Sequence, residues 1–431
     1  MSATIIVEVR ARRVYDSRGR PTVEAEVALH GGARGRAIAP AGASRGSREA
    51  VDLRDGGAAH GGLDVAAAVR NVSTTLAAAI AGGDARDQDA IDAALLAADG
   101  TPDKSRLGGN AIVAVSLAVA HAAANAEGVP LWRYLAAGRP VTLPLPEIQI
   151  FGGGAHAGRR LDLQDVMVMP VGAASFADAL AMVAEIYRAA GTWMSERGRV
   201  AGVADEGGWW PQFDTNEEAL QALVAAIERA GFAPGRDAVI SLDVAASELI
   251  TRDGRYRLAL DNRELDRDAL AALWLDWLDR YPIASIEDPF AEDDDAGWRA
   301  FARTAGDRVQ IVGDDFLTTN ATRIAAAARD ASCNAALLKP NQAGTLTETR
   351  AAFDAARAAG FATIVSARSG ETEDVSVAHL AVGWSAGQLK VGSFARGERM
   401  AKWNEVLRIE EALGADARFA GAAALVGYRS R

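Results

Sequence analysis

Six short apolar runs in the second half of the chain each carry a charged residue at or near their end. They are VISLD with Asp243, IASIED with Glu287, VQIVGD with Asp314, NAALLK with Lys339, ATIVSAR with Arg368 and QLK with Lys390. The successive intervals are 44, 27, 25, 29 and 22 residues, and the chain between the runs is mostly Ala-rich and helix-forming. Each interval therefore holds about one strand and one helix, which predicts an α/β fold of the barrel kind. In such a barrel the residues at strand C-termini converge on one mouth. Three carboxylates, two lysines and an arginine would then share a pocket.

The first half reads differently. Residues 4–10 and 22–29 alternate apolar and polar positions, as half-buried antiparallel strands do, with Asp16-Ser17-Arg18-Gly19 as a break between them. A third short run at 36–40 leads into the Gly/Ser segment 41–47, and Ala-rich helical stretches follow from about 64 to 137. Three prolines within 138–146 mark a linker or first barrel strand. The expected division is a capping domain over 1–138 and a barrel over 139–431. Asp253-Gly254 between apolar flanks predicts a hairpin over 250–260, which accounts for the longest interval.

Composition narrows the class. A chain of 431 residues with 49% hydrophobic and 24% charged content suits a globular barrel plus a smaller domain. No run looks long enough to cross a bilayer, and the first residues lack the pattern of a secretory leader, so a cytoplasmic location is expected. The net charge of -11 argues against nucleic-acid or membrane-surface binding. Cys333 is the only cysteine, so no internal disulfide forms, and it reads as a buried small residue.

The segments Asp16-Ser17-Arg18-Gly19, Gly42-Ala43-Ser44, Asp205-Glu206-Gly207-Gly208, Ser241-Leu242-Asp243, Ser285-Ile286-Glu287-Asp288-Pro289, Gly313-Asp314-Asp315, Leu338-Lys339 and 369–374, with the tail 395–404, resemble enolase, phosphopyruvate hydratase. The match runs in order from about residue 4 to 411. The resemblance implies a modified (β/α)8 TIM-like barrel with an unusual antiparallel start, an N-terminal α+β cap, two Mg²⁺ ions and a homodimer.

Asp243, Glu287 and Asp314 are hard oxygen donors suited to octahedral Mg²⁺. The reaction implied by the resemblance removes a proton α to a carboxylate and then expels a β-hydroxyl, a task for which this superfamily uses Mg²⁺ with a Lys or His base. Lys339 matches the family's base, with a pKa that nearby cations should lower. Glu206 matches the acid on the departing hydroxyl, and Asp165, after Gln164, stands where the family has a partner glutamate. Lys390 matches the lysine at the substrate carboxylate and metal. Arg368 and Ser369 match phosphate contacts. Ser44 matches a lid residue completing the second metal site, and His156 a mobile-loop histidine near phosphate. His30, His60, His121 and His379 read as surface or packing residues.

The departures from the family cluster at one end of the substrate. Ala367 stands where the family has histidine, and Asp165 is one methylene shorter than glutamate; both changes should enlarge the space there. Arg45 with Arg48, and Arg159 with Arg160, add positive charge to the lids. Trp209 and Trp210 add aromatic surface suited to stacking, and Pro340 follows the base. Together these suit a larger, more anionic substrate than the family's usual one, among small anionic phosphorylated or phosphonylated molecules. Two readings stand beside a plain 2-phosphoglycerate lyase. One is an enzyme of carboxyphosphonoenolpyruvate synthase type, from phosphonate antibiotic biosynthesis, acting on a nucleotide-activated phosphonoformate. The other is a catalytically silent binding protein, which would not need Lys339, Glu206, Lys390 and three metal acids together.

Overall fold

The computed structural model describes residues 2–428. The alternating segments at the start form an antiparallel meander of β1 (Ile6–Tyr15), β2 (Pro21–Leu29) and β3 (Arg34–Ile38), with β2 in the centre. The break between β1 and β2 is fixed by Asp16, whose Oδ1 accepts from the Arg18 and Arg20 amides at 2.8 and 2.9 Å, while Gly19 takes the left-handed φ of 71° that the turn requires. The helix Gly109–Ala126 packs on central β2, and Glu24 of that strand is buried beside Arg12 and Arg36.

That helix is long and apolar enough to span a membrane, which the run-length reading overlooked. However, 83% of its window is buried inside the protein, so its hydrophobicity is accounted for by the core.

Eight strands close the barrel in the order β4 (Leu145–Gly152), β5 (Asp165–Met169), β8 (Val239–Asp243), β11 (Ile283–Glu287), β12 (Gln310–Gly313), β13 (Ala335–Leu338), β14 (Ala362–Ser366) and β15 (Gly387–Ser393), with β15 pairing back onto β4. These strands are buried almost throughout, as parallel strands covered by helices must be, and so they read as unbroken apolar runs. The exception in direction is β5, antiparallel to both β4 and β8. A ribbon of β6 (Val200–Val203) and β7 (Trp209–Pro211) hangs from β4.

The insertion after β8 carries two turns. Ile250 bridges Tyr256 around Thr251–Arg255, where the sequence places its hairpin, and β9 (Tyr256–Leu258) then pairs with β10 (Arg263–Leu265) around a second turn at Asn262. The first three strands and the barrel are stitched at the mouth. Ala41 and Gly370 exchange reciprocal backbone hydrogen bonds of 2.9 Å, and the Ser17 amide donates to the Glu371 carbonyl at 2.8 Å.

Candidate active site

Strand direction explains how the site is assembled. Asp243 and Glu287 close β8 and β11 and are paired in register; Asp314 and Lys339 follow β12 and β13 directly. Because β5 runs the other way, its first residue, Asp165, lies at the same end of the barrel and faces Asp243 across the ladder. Lys390 pairs with Ser366 on one side and Glu147 on the other. Glu206 comes from the connection between β6 and β7.

Lys390 Nζ stands 2.9 Å from Asp243 Oδ2, 2.7 Å from Glu287 Oε2 and 3.8 Å from Asp165 Oδ2. Burial disfavours its charge, yet Asp243 and Glu287 hold it protonated well above the ordinary lysine range. One ammonium does not neutralise two buried carboxylates. Burial and the neighbouring Asp243 accordingly push the Glu287 carboxyl well above its ordinary range. Glu287 Oε1 and Gln164 Oε1 are buried acceptors with no protein partner, while Gln164 Nε2 donates to Asp243 Oδ2 at 3.1 Å. An excess of buried hard oxygen donors around an orphaned carboxylate oxygen fits a divalent cation of the Mg²⁺ kind. Among the described residues two other groups bring ligand atoms within 4.8 Å of one another, His156 with Asp165 and Glu206, and Asp288 with Asp314 and Asp315. In the second group Asp288 is engaged by the backbone amides of Asp314 and Asp315 at 2.9 and 2.8 Å, which makes it a loop-fixing residue.

Lys339 Nζ is bonded to Asp314 Oδ2. Burial, Arg368 and Lys390 all act to lower its pKa, but Asp314 and Glu287 outweigh them and the shift is upward. The protein's own cations thus do not give the depressed lysine that the sequence reading anticipates. Lys339 here is a charged, salt-bridged ammonium.

Across the cavity, His156 is buried between two acids: its Nδ1 lies 3.1 Å from Asp165 Oδ1 and its Nε2 3.7 Å from Glu206 Oε1. Burial works against its charge, but Asp165 and Glu206 prevail and raise it to about 8. Asp165, although buried, is drawn down to about 2 by His156 and Lys390 with help from the Gln149 amide. Both ring nitrogens face carboxylates, so His156 presents no free donor to a phosphate in this arrangement.

Arg368 is also committed. Its Nη1 donates to Glu49 Oε2 at 2.8 Å and its Nη2 to Glu49 Oε1 at 3.2 Å and to the Ser44 carbonyl at 2.9 Å. The lid packs so tightly on this guanidinium that a Cβ at Gly42 would collide with it. Ser369 Oγ accepts from the Ala43 amide at 2.6 Å, which fixes the lid a second time. The Ser44 hydroxyl lines the cavity and makes no side-chain hydrogen bond with the described residues.

Ser44, His156, Gln164, Asp165, Glu206, Asp243, Lys339, Ala367, Arg368, Ser369 and Lys390 line one cavity of about 20 Å³, room for roughly a water. Glu287 and Asp314 lie outside that lining and reach it through Lys390 and Lys339. Ala367 and Asp165, beside which the sequence reading expects added space, both line this cavity, next to an Arg368 that is tied to Glu49 and the Ser44 carbonyl.

None of the four residues proposed for specificity lines the cavity. Arg45 is exposed. Trp209 turns away and stacks on Tyr187, with centroids 4.9 Å apart and its Nε1 donating to the Tyr187 carbonyl at 2.9 Å. Trp210 packs under the lid loop at Gly158. Arg159 pairs with Glu248 at 2.5 Å and borders a neighbouring cleft of about 260 Å³ that shares Gln164 with the cavity.

Several participants escape a reading of strand ends. Glu49 and Gln342 join the lid to Asp314, for Gln342 Nε2 donates to Asp314 Oδ1 at 2.8 Å and to Glu49 Oε1 at 3.3 Å. Gln149 bonds Asp165, and Glu147 accepts from Ser241 with its second oxygen buried and unpartnered. For the last two a signal was present: polar residues at alternate positions of an otherwise apolar strand, LPEIQIFG, belong to one face.

A closed barrel whose mouth gathers lysines between buried acids, capped by a separate sheet-and-helix module, is the arrangement of a β/α-barrel enzyme with its polar groups at the strand C-termini. Family models agree: the enolase N-terminal domain matches residues 6–135, and the enolase C-terminal TIM barrel domain matches residues 140–427. The chain belongs to the enolase family and is an enolase-superfamily enzyme.

Proposed function

We propose that this protein is a Mg²⁺-dependent carbon–oxygen lyase that removes the proton α to a carboxylate and expels the β-hydroxyl, with 2-phosphoglycerate as substrate and phosphoenolpyruvate as product. The observation that carries this reading is one cavity lined by both a half-buried ammonium, Lys339, and a buried acid, Glu206, beside the Asp243–Lys390–Glu287 cluster. Base and acid within one water-poor pocket are what α-proton removal and hydroxyl departure require. Asp243, Glu287 and Asp314 would hold the divalent ions, with Ser44 from the lid. When bound, such ions neutralise the charge of a dianionic enolate, the chief obstacle to so weak a carbon acid.

Lys339 must surrender its proton before it can act as base. Asp314 opposes this, while Arg368 and Lys390 favour it. Lys390 would hold the substrate carboxylate. Arg368 and Ser369 would take the phosphate, for which Arg368 must exchange Glu49 and the Ser44 carbonyl for the anion. Incubation with 2-phosphoglycerate and Mg²⁺ should raise phosphoenolpyruvate absorbance and stop on chelation. No turnover at saturating Mg²⁺ would remove this reading.

A second reading has its own observation. The cleft beyond Gln164, walled by Leu161, Val244, Leu249 and Ile250 with Arg159 and Arg257 as well as Asp162 and Glu248 at its sides, offers room that the cavity itself lacks. It supports a larger anionic substrate, such as the nucleotide-activated phosphonoformate of a carboxyphosphonoenolpyruvate synthase-type enzyme. A cytoplasmic homodimer completes the proposal, and sedimentation would show the dimer.

A further inference from the structure

Pro340 and the strained loop after β12 gain a role once the contacts of Lys339 are followed outward. We propose that Thr319 and Gln342 are positioning residues that hold Lys339, backbone and side chain together, in the place from which it removes the proton. The inference rests on the lyase reading given above and deepens it.

Gln342 is linked to three separate atoms of Lys339. Its backbone N–H donates to the Lys339 carbonyl at 2.9 Å. Its Oε1 accepts from Thr319 Oγ1 at 2.6 Å, and that same hydroxyl oxygen accepts from the Lys339 amide at 2.9 Å. Its Nε2 donates to Asp314 Oδ1 at 2.8 Å, which leaves Oδ2 of that carboxylate for the Lys339 ammonium. The lid is joined to the same residue twice, through Glu49 Oε1 at 3.3 Å from Nε2 and through the Ala50 amide, which donates to the Gln342 carbonyl at 2.9 Å. The side-chain amide therefore has one orientation. Turned over, its oxygen would face two carboxylate oxygens and its nitrogen would lose both.

The backbone of Lys339 is constrained from the other side as well. Pro340 opens the short helix Pro340–Ala343, where no N–H is needed, and restricts the residue before it to extended conformations; Lys339 has φ -124° and ψ 110°. Thr318 and Thr319 have left-handed φ values of 47° and 51°. For β-branched residues that conformation is unfavourable and persists only where the surroundings over-determine it. In Thr319 it is held with the hydroxyl between the Lys339 amide and the Gln342 side chain. Both Thr319 and Gln342 are buried, so water does not replace a lost partner. A base that must meet a Cα–H at close range gains from such a frame, because a displacement of about 1 Å can cost about 10²-fold in rate.

Two substitutions at one position separate the hydroxyl from the shape of the side chain. Thr319→Val keeps volume and branching without the hydroxyl, and Thr319→Ser keeps the hydroxyl. In deuterated buffer with 2-phosphoglycerate and Mg²⁺, at equal folded fraction by circular dichroism, Thr319→Val should lower kcat for Cα–H exchange by about 10–10²-fold with KM little changed. Thr319→Ser should restore most of that rate. Gln342→Met should resemble Thr319→Val, and the double variant should lose little more than either, because both act through Lys339. A wild-type kcat in Thr319→Val, equal losses in the valine and serine variants, or multiplying losses in the double variant would overturn the proposal. If the wild type neither exchanges nor eliminates, it is the lyase reading that fails, and hydrogen exchange at the Lys339 amide decides alone. That amide should exchange about 5-fold faster in Thr319→Val and at the wild-type rate in Thr319→Ser. An unchanged rate in Thr319→Val sinks the positioning role.

Discussion

Arg368 and Glu49 meet as a buried bidentate pair, with N···O distances of 2.8 and 3.2 Å and side chains 3% and 4% exposed. Glu49 comes from the lid and Arg368 from the barrel, so the pair holds the closed mouth together. Removing one partner strands the other charge away from water, at a cost of about 3–5 kcal/mol. Glu49→Met and Arg368→Met should each lower the urea midpoint markedly, and the two changes together should cost less than either alone. Additive losses in that double-mutant cycle would show that the two charges do not depend on each other.

The sharing of one ammonium by two carboxylates makes Lys390 a stability residue whose effect depends on metal. In Lys390→Met, Asp243 and Glu287 face each other without the charge that lies 2.9 and 2.7 Å from them. Without divalent cations this variant should melt well below the wild type. Added Mg²⁺ should raise its Tm more than that of the wild type, because binding to the native state alone stabilises by mass action. An equal Mg²⁺ shift in both proteins would place the ion away from these carboxylates.

The strand-end ladder was legible because parallel strands buried on both faces leave continuous apolar runs, and the first polar residue after each run marks the mouth. Direction was harder to read. Nothing local in Asp165–Met169 says that β5 runs backwards, so Asp165 was placed by likeness to a family and not by its strand. The commitments of Arg368 and His156 were hidden for another reason. Glu49 lies 319 residues from Arg368 in the chain, and Glu206 is joined to His156 through a loop rather than a periodic element. Trp209 and Trp210 follow a conspicuous motif that points toward the pocket, whereas the β6–β7 ribbon turns them against a helix and a lid loop.

The lid arginine separates the two substrate readings. Arg159 is 61% exposed and pairs with Glu248, itself 34% exposed, so its removal should change stability by less than about 1 kcal/mol. Arg159→Ala should also leave 2-phosphoglycerate turnover unchanged. A higher KM confined to a bulkier anionic substrate would instead assign the neighbouring cleft to that substrate. Ala367 behaves differently because it is buried beside a cavity of about 20 Å³. Ala367→Leu should overpack the mouth and cost about 1–3 kcal/mol, measured by urea denaturation.

The His156–Asp165 pair links stability to pH. His156 is raised from 6.5 to about 8 in the folded protein, so its stabilising contribution is complete below pH 6.5 and is lost as pH rises through about 8. Asp165, held near 2, stays ionised across that window and loses its own contribution only as pH falls from 3.8 through about 2. The two shifts describe one interaction, so the alkaline loss is counted once, at about 2 kcal/mol. Wild-type stability followed by urea denaturation should decline between pH 6.5 and 8.5, whereas His156→Gln should be flatter over the same range. Parallel curves for the two proteins would mean that the folded ring does not hold its proton more tightly than the unfolded one.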